Sequence, residues 1–483
     1  MGHHHEKHIA VILAAGKGTR FKSKKPKVIH KILGKPMIHY ISLAVRWSNP
    51  EKVIYVVGHE KQQVIKAINC LNCTYVEQEE QLGTGHAVAV TKPYWENFDG
   101  IVMIVNGDLP LVEGETLKNA VKYMEALMRF EGAPTEGGEN YRNEKVAGVV
   151  LTTKVPNPLG YGRVIKDRNH RIIKIVEEKD ATYEEQKIDE INTGIYLFYA
   201  PYLKEVIDKL ENKNAQKEYY ITDVIQLLND MGKEVYALLV PDYTQFIGVN
   251  DRWDLAKAEN VLRMKYLQFW SYAGTTFHNP ETVYIEFDVE LSPDVEIYQG
   301  VSLKGKTTIG EDTIIEENCL IKNSKIGRNV KILKGSIIED SVIHDNAVIG
   351  PYARIRNNSV IKEKAQIGNF VEVKNSTIGQ NTAAKHLAYL GDAEIGKDVN
   401  IGAGTITCNY DGFKKHKTVI KDKAFIGSNT MLVAPVIIGE EAITGSGSVI
   451  TKDIPDKALG IERAQTKIIE NYAEKRKKRA KNG

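Results

Sequence analysis

The sequence predicts an α/β domain followed by a parallel β-helix, and two observations carry that reading. From His8 to about Val249, strand-like aliphatic runs at residues 9–13, 53–57 and 101–105 alternate with helix-like segments, the pattern of a parallel sheet covered by helices. Beyond Gly274 the pattern becomes a six-residue repeat. Ile337, Ile343, Ile349, Ile355, Ile361, Ile367 and Val373 recur at that spacing, as do Ile426, Leu432, Ile438, Thr444 and Ile450. A helix would need a period near 3.6, so this series fits stacked coils that keep aliphatic residues in a lumen.

At roughly 150 residues per domain, 483 residues suggest about three globules. The two patterns divide the length differently: an α/β domain at 8–250, a connecting helix at 251–273, a solenoid at 274–467 and a basic tail at 468–483. Within the connector, Leu255, Ala258, Val261, Leu262 and Tyr266 follow a helical period, with Asp251 as its cap. Hydrophobic residues at 42% and a net charge of +3 exclude a chain disordered throughout. No long apolar run suggests a signal peptide or membrane span, so a cytoplasmic protein is expected. The tail, with Lys475, Arg476, Lys477, Lys478, Arg479 and Lys481, reads as a solvated terminus, and no nucleic-acid partner is expected. Four cysteines are too few for a disulfide scaffold and fit a reducing compartment. Cys70 and Cys73 lack two further ligands for zinc, and read as two small, partly buried residues. The start, with His3, His4 and His5, is set apart from the fold, and the polar stretch 131–145 reads as a surface loop.

In the solenoid, glycine often follows the aliphatic position, as in Ile309-Gly310, Ile367-Gly368 and Ile438-Gly439, which suits tight corners. Three hexads would make an 18-residue coil, giving eight or nine coils between 295 and 450. The rhythm breaks at 379–394 and 402–425, where loops on a binding face are expected.

The residues that suggest chemistry fall in both halves. Leu13-Ala14-Ala15-Gly16-Lys17-Gly18-Thr19-Arg20 follows the first strand; such a glycine turn can offer backbone N–H groups to phosphate, with charge from Arg20 and Lys27, or can be merely structural. It lacks the closing Gly-Lys-Ser/Thr of a Walker A loop. Asp108 follows a strand, where it could hold a cation or form a turn. In the solenoid, His386 is suited to accept a proton near neutral pH, although a solvent-facing histidine is an equal reading of the residue alone.

The glycine turn resembles the signature of nucleotidyltransferases that activate sugar phosphates. Lys25-Pro26-Lys27, Gln81-Leu82-Gly83-Thr84-Gly85, Gly107-Asp108-Leu109-Pro110-Leu111, Tyr161-Gly162-Arg163, Glu190-Ile191-Asn192-Thr193-Gly194 and Gly248-Val249-Asn250-Asp251 extend the match. With the hexapeptide solenoid, the ordered set resembles a family of bifunctional bacterial uridylyltransferase–acetyltransferases from His8 to about Lys467. The resemblance implies a Rossmann-like nucleotidyltransferase domain followed by a left-handed parallel β-helix of hexapeptide repeats, assembled as a homotrimer with acetyl-transfer sites between subunits. It implies acetylation of glucosamine 1-phosphate by acetyl-CoA, then coupling of N-acetylglucosamine 1-phosphate to UTP.

The same resemblance assigns roles by position. Leu13, Ala14, Gly16, Lys27, Gln78, Gln81, Gly83 and Thr84 match nucleotide contacts, and Gly162, Glu177, Asn192 and Asn250 match sugar or metal contacts. Arg20 and Lys27 would neutralise charge at the transferred phosphate, and Asp108 with Asn250 would hold Mg²⁺. Asn106 stands where some relatives carry Tyr. In the solenoid His386 is implied to be the general base; Arg356, Lys374, Tyr389, Asn400 and Lys415 match sugar-phosphate positions. Asn409, Tyr410, Ser428, Ser446 and Arg463 match positions near acetyl-CoA, with Ser446 where some relatives carry Ala. Direct attack by the amine needs no cysteine, so Cys408 is not expected to act covalently. The competing readings are a monofunctional nucleotidyltransferase whose solenoid serves assembly, and a nucleotide-responsive scaffold without catalysis.

Overall fold

A computed structural model describes residues 7–129 and 142–483, so most of the polar stretch 131–145 and the histidines at 3–5 lie outside the described residues. The chain divides into two compact units, residues 1–262 and 263–483.

In the first unit a sheet runs in the order Glu234–Leu239, Val146–Lys154, Glu190–Tyr199, Ile101–Asn106, His8–Leu13, Val53–Val57, Thr74–Glu77. The strand His8–Leu13 is apolar on both faces because both are covered. Ala10 and Ile12 enter one core, Ile9 and Val11 the other. The expected parallel layer is a mixed sheet: Glu190–Tyr199 runs antiparallel to both neighbours, Ile101–Asn106 and Val146–Lys154. A strand buried on both faces carries the same apolar run in either direction, so its sense was not visible in the sequence. The first strand lies between the parallel strands Val53–Val57 and Ile101–Asn106. The chain therefore winds away on both sides, opening a crevice beyond the carboxyl ends of these strands, the usual place for a ligand in such sheets.

Cys70 and Cys73 form a disulfide between the helix Lys61–Ile68 and the edge strand Thr74–Glu77, correcting the expectation of two independent residues. The turn holds their Cα atoms 5.6 Å apart, within disulfide reach. The helix Arg252–Tyr272 begins with the Asp251 carboxylate accepting from the Asp254 amide at 2.8 Å.

In the second unit short parallel strands stack coil upon coil, with eight strands on the third face. Ile297, Ile315, Ile332, Ile349, Ile367, Ala384, Ile401, Ile426 and Thr444 form one lumenal column, joined in register across successive coils. All are buried, and each burial of an Ile side chain contributes about 1.5–3 kcal/mol. Many coils contain 17 residues rather than 18: Leu320 pairs with Ile337, Lys325 with Val342 and Ala383 with Asn400. One hexad per coil loses a residue. Ile338, rather than the expected Ile337, consequently enters the lumen, followed by Ile343.

The two expected breaks have different outcomes. Residues 379–394 contain no insertion, since Gln366 pairs with Ala383 and Ala383 with Asn400; the smaller Ala384 and Ala388 replace aliphatics in the lumen. The second is real: Ala393 pairs with Thr418 and Asn400 with Phe425, steps of 25 residues that extrude the loop 409–417. At Gly368 the coils approach so closely that an added Cβ would collide with the Lys385 carbonyl. Gly368→Ala is therefore expected to lower solenoid stability by about 3 kcal/mol, measured as a shift in the chemical-denaturation midpoint.

Candidate active sites

In the first unit the crevice encloses about 260 Å³. Of the residues expected there, Leu13, Ala14, Gly16, Lys27, Gln78, Gln81, Gly83, Thr84 and Asp108 all line it, together with Asn106. Gly16 is exposed, with nothing within 4 Å of an added Cβ, so its backbone is open to a close-approaching ligand. Gly83, at φ +106°, starts the helix Thr84–Ala89; a side chain there would strike the Tyr219 carbonyl at 2.7 Å. Arg20 is exposed in the turn Thr19–Phe21 and does not line the cavity.

Lys27 Nζ lies 2.9 Å from Asp108 Oδ2, and both side chains are largely shielded. The Val249 amide donates to the Asp108 carbonyl at 3.1 Å, bringing Asn250 beside the same turn. One carboxylate and one amide side chain are oxygen donors that fit Mg²⁺, which usually takes few protein ligands and completes its shell with phosphate and water.

The expected sugar contacts gather separately. The Asn192 amide donates to the Gly162 carbonyl at 2.9 Å, and Gly162 faces the Glu177 carboxylate. Burial raises the Glu177 carboxyl above its ordinary range, against a hydrogen bond from Thr222 and with reinforcement from Asp223 and Asp180. Asn192 donates to the Tyr196 hydroxyl and accepts from the Gly194 amide. Gly194 closes against Asn106, which thus borders both clusters.

The solenoid presents two sets of polar groups at different corners. At one, Lys374 binds both oxygens of Asp392, at 2.9 and 3.1 Å, and Asn409 donates to Asp392 at 2.7 Å and to Tyr389 at 3.2 Å. Arg356 donates to Glu372 at 2.9 Å. Lys415, in the extruded loop, and Lys374 both line a cavity of about 540 Å³. Burial opposes ionisation of Asp392, but hydrogen bonds from Asn375, Lys374 and Asn409 outweigh it and hold the carboxyl below its ordinary range. Lys415 is pushed below the usual lysine range by its neighbour Lys374. Two adjacent ammonium groups, one of them held by a carboxylate, form a site suited to a phosphate dianion.

At the other corner His386 Nδ1 is 3.2 Å from Asn369 Oδ1, one coil below. Backbone bonds continue this column through Leu387 to Gly404, Ala403 to Asn429 and Ser428 to Gly447. Arg463 reaches the Ser446 carbonyl at 3.0 Å. His386, Ser428, Ser446 and Arg463 thus share one edge, while Asn409 lies with the cation cluster. Tyr410 is in the extruded loop, bonded to the Gly412 carbonyl. Asn400, expected with the sugar-phosphate residues, instead pairs with Ala383 on the face preceding His386. Three residues assigned no role belong to these sites: Asn369, Asp392 and Glu372. Asn369 precedes His386 by 17 residues and Asp392 follows Lys374 by 18, so a one-coil offset was the signal that could have found them.

A sheet crevice with a glycine turn and a Lys–Asp pair, joined to a hexapeptide solenoid, defines a nucleotidyltransferase fused to an acyltransferase-type β-helix. Family comparison agrees: residues 9–276 match the nucleotidyl transferase family, 285–378 the GMPPB C-terminal domain, and 417–452 the bacterial transferase hexapeptide (six repeats). Proteins described as bifunctional protein GlmU are similar along nearly their whole length. That of Aquifex aeolicus is 48% identical, covering 97% of this chain and 99% of its own, and that of Carboxydothermus hydrogenoformans is 45% identical, covering 96% and 99%. The Hydrogenobaculum sp. protein is 43% identical, covering 96% and 98%. The chain belongs to the GlmU family, and its solenoid is the left-handed β-helix of that fold.

Asp392→Asn removes the counter-charge of the shielded Lys374 and is expected to cost about 3 kcal/mol near neutral pH. Because the folded carboxyl is held low, its contribution is full above about pH 4 and is lost as the pH falls through the lowered value. Denaturation midpoints of wild type and variant should converge on acidification.

Proposed function

We propose that the chain transfers the acetyl group of acetyl-CoA to glucosamine 1-phosphate at the solenoid, then joins N-acetylglucosamine 1-phosphate to UTP in the crevice. The products are UDP-N-acetylglucosamine and pyrophosphate. The observation carrying this reading is the presence on one chain of both the Lys27–Asp108 crevice and the oriented His386 edge.

In the crevice the sugar phosphate's oxygen attacks the α-phosphorus of UTP, and pyrophosphate leaves, so no protein nucleophile is required. Gln78 reads the uracil, with Gln81, Gly83 and Thr84 around the base; Leu13, Ala14 and Gly16 offer backbone to the nucleotide. Glu177, Gly162 and Asn192 hold the sugar. Lys27 neutralises phosphate charge, and Arg20 reaches the phosphates from the rim of the turn. Asp108 and Asn250 would hold Mg²⁺, which when bound screens the charge on the phosphates.

At the solenoid His386 accepts the proton from the sugar amine as its nitrogen attacks the thioester carbonyl. The tetrahedral adduct collapses with cleavage of the carbon–sulfur bond, and the imidazolium returns the proton to the departing CoA sulfur. Asn369 orients the ring. Arg356, Lys374, Tyr389 and Lys415 hold the phosphate, Asn409 completes the sugar pocket beside them and Asn400 meets the sugar from the His386 side of the corner, and Tyr410, Ser428, Ser446 and Arg463 border the acetyl-CoA.

The working unit is a trimer. His386 and Tyr389 are three positions apart on one strand, with Leu387 at φ +37° between them, so base and phosphate cluster face different sides of a corner. A copy of the chain applied to that corner would complete the site. Tyr352, Phe370 and Leu387, 53%, 60% and 64% exposed, form an apolar ladder there that supports such a contact. Among the described residues no helix is long and apolar enough to cross a membrane. We assign the reactions to the cytoplasm, where UTP and acetyl-CoA are made.

Incubation with glucosamine 1-phosphate, acetyl-CoA and UTP, followed by mass spectrometry, tests the reading. Acetylation is expected with or without Mg²⁺, and uridylyl transfer only with it; an enzyme that uridylylates but never acetylates would sink the bifunctional reading. Phe370→Glu should reduce the sedimentation mass from three chains to one and remove acetylation while sparing uridylyl transfer.

A further inference from the structure

The Gln78 side chain is almost fully buried in the wall of the nucleotide crevice, and its amide is held from one side only. Its Nε2 donates to the Gly83 carbonyl at 3.3 Å and lies 2.9 Å from His86 Nδ1. A backbone carbonyl can only accept, so the Gly83 contact fixes which end of the amide carries the hydrogens. His86 Nδ1 must therefore be the acceptor, with the ring proton on Nε2. The amide oxygen is left as the end without a partner among the described residues, on a residue that lines the cavity. His86 itself sits in the helix Thr84–Ala89 and does not line the cavity.

We propose that His86 is a positioning residue for pyrimidine selection: by accepting from Gln78 Nε2 it locks the amide with Oε1 toward the base. This rests on the reading that Gln78 meets the pyrimidine of the nucleoside triphosphate. Position 3 of uracil is an N–H donor, whereas position 3 of cytosine is a lone pair. An amide locked with its oxygen outward pairs with the first and opposes the second. Without His86 only the longer Gly83 bond holds the amide, and rotation by half a turn presents NH₂ to the base, which accommodates cytosine. The helix that follows Gly83 thus does two things: its first residues shape the pocket, and its third sets the polarity of the residue that reads the base.

The test compares kcat/KM for UTP and for CTP in the full-length protein, with N-acetylglucosamine 1-phosphate as acceptor and the far-UV circular dichroism spectrum and unfolding transition as the check that each variant is folded. His86→Leu and His86→Ala both remove the acceptor, so either folded variant decides the matter. The ratio of UTP to CTP should fall by about tenfold, the worth of one modest hydrogen bond, chiefly through KM for UTP. KM for N-acetylglucosamine 1-phosphate should stay unchanged. His86→Asn, whose Oδ1 can occupy the place of Nδ1, should restore most of the ratio, which a merely structural role for the ring would not predict. A ratio within about twofold of wild type in His86→Leu or His86→Ala, while Gln78→Ala loses discrimination, would overturn the role of His86 and leave Gln78 as the base reader. An unchanged ratio in Gln78→Ala would overturn both.

Discussion

Parallel pairing is the constraint on which both halves of this protein rest. In the first unit parallel strands end together, so Leu13, Asn106 and Glu77 arrive at one edge of the sheet and the segments after them share a crevice. In the second unit the same geometry repeats without helices: strand residues stack on those a coil earlier, 17 or 18 positions back in most coils and 25 where the loop 409–417 is extruded. Lumenal aliphatics set the register, and polar side chains at the corners are carried into columns by it. Asn369 beneath His386 and Lys374 beside Asp392 are consequences of what the Ile and Val residues do inside.

The two proposed phosphate sites reach similar electrostatics by different routes. The crevice combines open backbone at Gly16 with the shielded pair Lys27–Asp108, where a carboxylate is available as an oxygen ligand. The solenoid corner is more heavily cationic, with Asp392 as the anchor that keeps Lys374 in place and Lys415 arriving from the extruded loop. A carboxylate engaged by three donors is poorly disposed to bind metal, whereas Asp108 has one lysine partner. The difference fits the proposal of metal assistance for the attack of a sugar phosphate on a triphosphate.

Much of this was legible in the sequence, for identifiable reasons. The solenoid was visible because the lumen admits little but aliphatic residues, and the crevice because the glycine turn directly follows an apolar strand. Coil length is obscured where Ile337 and Ile338 are adjacent: outward and inward residues are both aliphatic there, so the five-residue step is hidden. Residues 379–394 looked like a break because Ala384 and Ala388 stand where larger residues would have kept the rhythm. The antiparallel sense of Glu190–Tyr199 left no trace in an apolar run, and the Cys70–Cys73 bond depends on a turn that composition does not reveal. Residue types alone left both chemistries open and the family resemblance named them, but only the stacking showed that His386 and Tyr389 face different sides of a corner.

The central claim is that two reactions reside in two separate folds of one chain, the acetylated product of one being the substrate of the other. Assaying Asp108→Asn and His386→Ala separately and then mixed measures this most directly. Supplied with glucosamine 1-phosphate, acetyl-CoA and UTP, Asp108→Asn should accumulate N-acetylglucosamine 1-phosphate and His386→Ala should consume nothing, while the mixture forms UDP-N-acetylglucosamine. Loss of both reactions from either single substitution in a folded protein, or a mixture that stays inactive, would contradict it.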